Sequence, residues 1–191
     1  MFFPIEKQYI SSQELHEAGY SNYQIRKMVN TGNLIGVNRK WYENLNYEGE
    51  INDFYAVPAY ASRGVVCLIS AAVYHGLSNE RPNCIDVAIP RNSRIPVSPD
   101  WPAMKFYRMV GTRYNIGIAE VKEGSNSFLI YDKEKTVCDV IYHRNKMGFE
   151  PAMEVLKKYL RLPDKDINRL ITYAKYLQVE VTIKQYLEAL L

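Results

Sequence analysis

The stretch from residue 20 to residue 42 constrains the fold most, because its pattern changes from helical to extended within a short span. A polar cap, Ser21, precedes three apolar residues whose spacing places them on one face of a short helix: Ile25, Met28 and Val29. Gly32 lies just past them, where helices commonly end in a left-handed conformation. Residues 34–37, 38–40 and 41–42 then predict a strand, a basic turn and a returning strand. The sequence therefore predicts a short helix followed at once by a hairpin.

A second capped helix is predicted immediately before this stretch. Ser11 is followed by Gln13 and Glu14, either of which lies near the third helical position, as in a capping box. Two residues give a small inward face: Leu15 and Ala18. Gly19 then allows a tight turn into the next helix. Helix, glycine-containing turn and helix form the helix-turn-helix arrangement, in which the second helix enters the major groove of DNA.

The charge of the same stretch favours a nucleic acid. It holds four basic side chains and no acidic one: Arg26, Lys27, Arg39 and Lys40. Neutralising phosphates releases counterions, so a DNA backbone favours such a bias. The candidate DNA-binding residues are these four and five polar ones: Ser21, Asn22, Tyr23, Gln24 and Asn30. Tyr23, Gln24 and Lys27 would meet base edges or nearby phosphates, and Asn30 a flanking phosphate. The other basic residues would contact the backbone or, through the hairpin, the minor groove.

The alternative is a small helical hairpin with a solvated charged face and no ligand, because short helix-turn-helix patterns arise often by chance. Residues 1–50 hold five basic and six acidic side chains, so this region is near neutral overall. The whole chain of 191 residues has a net charge of only +3. Such a balance excludes a polycation and is compatible with site-specific binding.

The cysteines and the hydropathy indicate a cytoplasmic protein without a metal or cofactor. The three cysteines are odd in number and far apart, which predicts buried free thiols: Cys67, Cys84 and Cys138. The first ten residues lack the basic leader of a signal peptide. No apolar run reaches the length of a membrane span.

The remainder of the chain predicts an α+β domain. We expect a winged helix-turn-helix domain over residues 1–48 and a larger domain over residues 49–191 with an antiparallel sheet and a helical C-terminal tail. Residues 54–61 predict either a short helix interrupted by Pro58 or an extended connector. Residues 65–77 are apolar almost throughout and predict one buried helix ended by Gly76. Four strands are predicted at 85–89, 105–110, 116–121 and 127–131, followed by helices that start at Asp132, Glu150, Pro163 and Thr182.

Three further groups of residues could in principle carry out chemistry or bind a ligand. Asp100, Glu120 and Lys122 match the loose pattern of a metal-dependent nuclease, but ordinary surface charges are the favoured interpretation. His75 ends an apolar helix without an evident nucleophile or orienting carboxylate, which favours a structural role over catalysis. Arg91 and Arg94 follow a strand and could hold phosphate or an acidic partner, although a solvated loop is favoured. We therefore expect no enzymatic activity.

The chain resembles the AbiEi family of antitoxins at several separated motifs. The N-terminal ones are EL at 14–15, GYS at 19–21, Ile25, MV at 28–29, GNLI at 32–35, Val37, Arg39 and Tyr42. The later ones are CLISAA at 67–72, YHGL at 74–77, VAIPR at 87–91 and KEKTVCD at 133–139. The resemblance covers most of the chain, with two departures. Arg39 is followed by Lys40 where the family wing usually has glycine, and the segment before Ser11 is short and contains Pro4, which predicts a truncated first helix.

The resemblance implies a two-domain repressor and antitoxin of a type IV toxin–antitoxin system. In that family a winged helix binds inverted repeats in the promoter of its own operon. The C-terminal domain counters a nucleotidyltransferase-like toxin, AbiEii, without needing a stable complex, in abortive infection and phage defence. For toxin opposition we favour Arg91 and Arg94. The rival hypothesis is a protein-interaction module whose winged helix no longer binds DNA.

Overall fold

The computed structural model describes residues 6–190 and divides into two compact units. The first comprises the described residues up to Gly64 together with Glu120–Phe128, and the second comprises Val65–Ala119 and the residues from Leu129 onward. The predicted domain boundary between residues 48 and 49 stays a prediction. In the described part of the chain, no helix combines the length and the apolar character that crossing a membrane requires.

The first unit begins with a small sheet and two short helices. Its elements are β1 (Tyr9–Ser11), α1 (Ser12–Glu17), α2 (Asn22–Asn30), β2 (Leu34–Gly36), β3 (Trp41–Asn44), a 3₁₀ turn (Asp53–Ala56) and α3 (Val57–Tyr60). The three strands pair antiparallel in the order β1-β3-β2. Both predicted helices and the hairpin are present. The predicted truncation of a first helix concerns Pro4, which lies outside the described residues. The strand β1 directly precedes α1.

Five residues form the core of these elements: Ile10, Leu15, Ile25, Met28 and Leu34. Two of the residues predicted to face inward do not. Ala18 is exposed because it caps the end of α1 rather than continuing it. Val29 is 36% exposed, because Ile25 and Met28 fill the inward side of a short helix and Val29 lies at its edge. The core therefore rests on fewer α2 side chains than the sequence predicted.

The second unit packs helices around a five-stranded sheet. The remaining elements of the chain are β4 (Val65–Val66), α4 (Leu68–Tyr74), β5 (Ile85–Pro90), β6 (Met104–Met109), α5 (Gly111–Asn115), β7 (Ile118–Glu123), β8 (Asn126–Tyr131), α6 (Lys133–Tyr142), α7 (Arg144–Met147), α8 (Phe149–Arg161), α9 (Ile167–Tyr176) and α10 (Glu180–Leu190). Of these, the adjoining parts of β7 and β8 and the turn between them, Glu120–Phe128, belong to the first unit. The strand order is β6-β5-β4-β8-β7. Its largest core cluster joins side chains of α4, α6, α8, α9 and α10.

The expected α+β class is confirmed, but the expected antiparallel sheet is wrong. β4 runs antiparallel to β5 and parallel to β8, and β5 runs parallel to β6. A parallel neighbour requires a crossover connection, and residues 91–103 form that connection between β5 and β6. The apolar pattern of one strand does not fix the direction of each neighbour, since β4 has an antiparallel and a parallel one, so the sequence did not distinguish a mixed sheet from an antiparallel one.

Two element boundaries were also wrong. The apolar run 65–77 starts as the strand β4 and becomes a helix only at Leu68, because a strand paired on both sides and buried is as apolar as a buried helix. The helix predicted from Pro163 begins at Ile167, because the Asp166 side chain caps it by accepting from the Arg169 amide at 2.8 Å. Residues 53–60 are helical, with Pro58 in the first turn of α3.

Candidate nucleic-acid interface

Helix α2 is fixed at its N-terminus by two of the candidate residues. The Ser21 hydroxyl accepts from the Gln24 amide at 3.4 Å, and the Gln24 side-chain oxygen accepts from the Ser21 amide at 2.8 Å. This capping box satisfies amide groups that a helix start otherwise leaves unpaired. The structure therefore assigns Ser21 and the Gln24 oxygen a role in holding the helix start.

The other candidate residues on α2 share its solvent-facing side. They are all exposed: Asn22, Tyr23, Arg26, Lys27 and Asn30. The Tyr23 side chain is 77% exposed. Burial of Ile25 and Met28 on the opposite side fixes the rotation of the helix, so the polar side presents these groups outward. Beyond the helix, Gly32 has the left-handed conformation that its position predicted, with φ +74°.

The basic turn between β2 and β3 is held by Asn38. Its side-chain oxygen accepts from the Lys40 amide at 2.9 Å, and its side-chain amide donates to the Ala59 carbonyl at 2.8 Å. The Lys40 carbonyl in turn accepts from the Ser12 amide at 2.7 Å, at the start of α1. Arg39 and Lys40 project from this turn as exposed side chains. Sequence reasoning assigned Asn38 only to a turn, and its local hydrogen bond is the usual one for asparagine there.

The four basic residues of this surface have no acidic partner within residues 6–190. The acidic side chain of α1 is occupied elsewhere, because Glu14 pairs with Lys7 and closes the capping box on Ser11. Burial alone would raise the pKa of Glu14, but the hydrogen bonds from Lys7 and Ser11 lower it. The cations of α2 and the turn thus remain available to an external anion.

The predicted residues outside this surface are not brought into a site with it. Arg91 and Arg94 are exposed in the loop after β5. Glu120 pairs with Lys122 at 3.3 Å, and both side chains are exposed. Over residues 6–190, no group of three or more His, Cys, Asp or Glu side chains is placed to hold a metal ion.

His75 and the cysteines have structural surroundings. The His75 ring nitrogen Nε2 lies 2.7 Å from the Tyr131 carbonyl oxygen, and burial lowers the pKa of this histidine. All three cysteines are free; Cys67 and Cys138 are buried as predicted, whereas Cys84 is only partly covered. Burial raises the pKa of the Cys67 and Cys138 thiols, which keeps them protonated and poorly nucleophilic.

A buried ion pair on α6 was missed. Lys135 and Asp139 contact each other with fully buried side chains, and Arg113 adds a second contact to Asp139 at 3.3 Å. The Lys135 ammonium also lies 4.0 Å from the centre of the Tyr131 ring. Burial lowers the pKa of Lys135 and raises that of Asp139. The four-residue spacing of the pair was visible in the sequence, but it is more often a feature of exposed helix faces.

Comparison with models of known protein families and with curated protein sequences finds no match to this chain.

Proposed function

We propose that this chain is a cytoplasmic DNA-binding antitoxin that represses its own operon and counters a nucleotidyltransferase-like toxin. The observation that carries the DNA-binding part is the surface formed by α2 and the turn at residues 38–40. Its four cations are exposed and have no acidic partner in the described structure. A phosphate backbone supplies the partner that such a surface lacks.

The order of the elements supports docking through a winged helix-turn-helix. The succession β1, α1, α2, β2, β3 places a second helix after a glycine turn and then a two-stranded hairpin. Gly19 makes the turn with φ +89°. In this arrangement α2 enters the major groove. Tyr23, Gln24 and Lys27 then meet base edges or nearby phosphates, and Asn30 meets a flanking phosphate. The hairpin turn then follows the backbone or the minor groove through Arg39 and Lys40.

The antitoxin part is supported by the resemblance of residues 14–42, 67–77, 87–91 and 133–139 to AbiEi proteins. Under this proposal the chain itself performs no catalysis. Toxin opposition belongs to the second unit, and Arg91 and Arg94 are its candidate residues because both are exposed and positively charged. The test looks for a nucleotidyltransferase-like gene beside the gene of this chain and measures survival of cells that express it together with this chain or its Arg91→Ala/Arg94→Ala variant. Equal protection by both chains would exclude the two arginines, and absence of protection by the natural chain would exclude the antitoxin role.

The DNA-binding part is tested by titrating a duplex from the upstream region of the gene at two salt concentrations. We expect the Lys27→Ala/Arg39→Ala variant to bind more weakly and to reduce the slope of log K against log salt by about 1.8, since each phosphate contact contributes about 0.9. The matched control is Lys157→Ala/Arg161→Ala, which removes the same charge from exposed positions of α8. Equal binding by both variants would contradict the docking arrangement.

One observation favours the rival hypothesis of a protein-interaction module. Tyr23 and Ile35 are exposed by 77% and 48%, and aromatic and aliphatic side chains at the surface also suit a protein partner. If the unmodified chain fails to shift the upstream duplex at low salt, the interaction module becomes the better explanation. A shift that depends on Lys27 and Arg39 would reject it.

A further inference from the structure

The turn of the β7–β8 hairpin belongs to the first unit, although more than fifty residues separate it in sequence from Gly64, where the N-terminal part of that unit ends. Asn126, which is 4% exposed, provides its main polar contact. Its side-chain oxygen accepts from the Gln8 amide at 2.9 Å, and its side-chain amide donates to the Tyr47 hydroxyl at 3.0 Å. Removing a buried partner of this kind leaves the opposite group unsatisfied, which is costlier than losing an exposed hydrogen bond.

Gln8 is also hydrogen-bonded to the small sheet and to the segment that follows it. Its carbonyl accepts from the Asn44 amide at 2.8 Å, and its side-chain oxygen accepts from the Asn52 amide at 3.2 Å. The Asn44 side chain, also buried, donates to the Lys7 carbonyl at 3.1 Å. The hairpin thus holds the chain where β1 begins and β3 ends.

A second set of contacts holds the same hairpin. Glu123 accepts from the Tyr55 hydroxyl, and the Asn52 side chain donates to it at 3.4 Å. Burial, reinforced by Glu123, raises the pKa of Tyr55, so its hydroxyl stays protonated and can donate. Phe128 packs edge to face on Phe54 with ring centres 5.3 Å apart. Polar and apolar contacts therefore attach residues 123–128 to residues 8–55.

The position of these contacts leaves the DNA-binding surface open. The register pairs Tyr9 with Glu43 and Ser11 with Trp41. Gln8 therefore lies at the end of the sheet opposite to the basic turn, which precedes Trp41. Contacts at this end of the sheet support β3 and the β2–β3 hairpin without covering Arg39 or Lys40.

We propose that the hairpin at residues 120–128 is a clamp that completes the DNA-binding unit, with Asn126 as its positioning residue. The consequence for DNA rests on the proposed function. Operator binding therefore depends on residues far along the chain from α2 and the basic turn, and displacing the hairpin lowers the fraction of binding-competent molecules.

The test uses the full chain with Asn126→Ala and, as matched control, Ser125→Ala at the exposed neighbouring position. Hydrogen exchange is followed in β1, β3 and α2, and in α6 and α8 of the second unit. We expect Asn126→Ala to lower protection in the first set by about tenfold or more, with α6 and α8 unchanged. Tyr47→Phe removes the acceptor of the Asn126 side-chain amide, and also the exposed bond from the Tyr47 hydroxyl to the Glu50 carbonyl, but it leaves the bond from Gln8 to Asn126 intact. It should therefore lower protection at the same amides by less.

Binding to the upstream duplex is then measured as a function of urea. Asn126→Ala should lose binding at a lower urea concentration than the natural chain and Ser125→Ala. Protection equal to that of the control, or loss spread equally over α6 and α8, would overturn the clamp, as would an unchanged urea midpoint for DNA binding. If the natural chain binds no duplex, the proposed function fails, and the exchange pattern alone confirms or overturns the clamp.

Discussion

The molecule uses basic side chains in two opposite ways. On α2 and the turn after β2, four cations are exposed and have no acidic partner within residues 6–190. In the second unit, Lys135 is fully buried against Asp139, with Arg113 completing the cluster. The first set adds little to folding and remains available for an external anion. The second is already paired with Asp139, and of its two cations only Arg113 is partly exposed.

Burial and partners, rather than residue type, decide this difference. A charge in water costs little to leave unpaired, whereas a charge removed from water must be neutralised or compensated. The Arg113 guanidinium also lies 3.8 Å from the centre of the Tyr142 ring and donates to the Leu177 carbonyl at 2.6 Å. The buried cluster therefore ties α5 to α6 and to the end of α9, and its role is structural.

The largest expected effect is that of Asp139→Ala. The variant leaves the Lys135 ammonium buried without its carboxylate, and breaking such a pair costs about 3–5 kcal/mol of unfolding free energy. Urea unfolding followed by circular dichroism measures this. The control is Lys135→Met/Asp139→Leu, which removes both charges and should recover most of the loss. If Asp139→Ala is destabilised by less than about 1 kcal/mol, the pair is solvated, and the difference between the buried pair and the exposed cations of the first unit does not hold.

Residues from the two regions also show how far the sequence could predict the structure. The α2 cap at Ser21, the buried Ile25 and the basic turn follow from local spacing and turn chemistry, and the structure contains all three. The buried Lys135 could not be found in this way, because a lysine four residues before an aspartate usually marks a solvated helix face. Burial of that face depends on elements distant in sequence, as does the contact of Asn126 with Gln8.

The next effect concerns the core beneath the exposed surface. Ile25→Ala should destabilise the first unit by at least about 2 kcal/mol, because it removes a side chain that is only 3% exposed and leaves a cavity in the core. Val29→Ala, one turn further along the same helix and partly exposed, is the matched control and should cost much less. Hydrogen exchange of α2 and β3 amides measures both. If Val29→Ala costs as much as Ile25→Ala, then α2 is rotated differently about its axis, and the assignment of residues to its exposed side is wrong.

A smaller effect on the unfolding free energy is expected from pH, and it should come from His75 in the second unit. Burial lowers the pKa of His75 below its ordinary 6.5, so the unfolded chain binds the proton more readily than the folded one. The stability from this group is present above about pH 6.5 and is lost as the pH falls toward the lowered folded-state pKa.

Unfolding free energy measured between pH 7.5 and 5 should therefore decrease with a slope of at most about 1.4 kcal/mol per pH unit for this group. His75→Gln keeps a donor for the Tyr131 carbonyl and should flatten the slope. His143, whose pKa burial also lowers, should contribute in the same direction, whereas Asp86, Asp132 and Asp139, whose pKa burial raises, should oppose it. An unchanged slope in His75→Gln would show that this histidine is not the titrating group.

The smallest effect is expected where the charges are exposed. Arg26→Ala and Lys40→Ala remove cations without a partner in the described structure, so each should change the unfolding free energy by no more than about 0.5 kcal/mol. Both should nevertheless weaken binding to the upstream duplex at low salt, because their contribution is made to phosphate rather than to the fold. Urea unfolding and duplex titration of the same preparations separate the two quantities. A loss of stability without a loss of binding would reverse the assignment, and the α2 surface would then belong with the buried cluster as a structural feature.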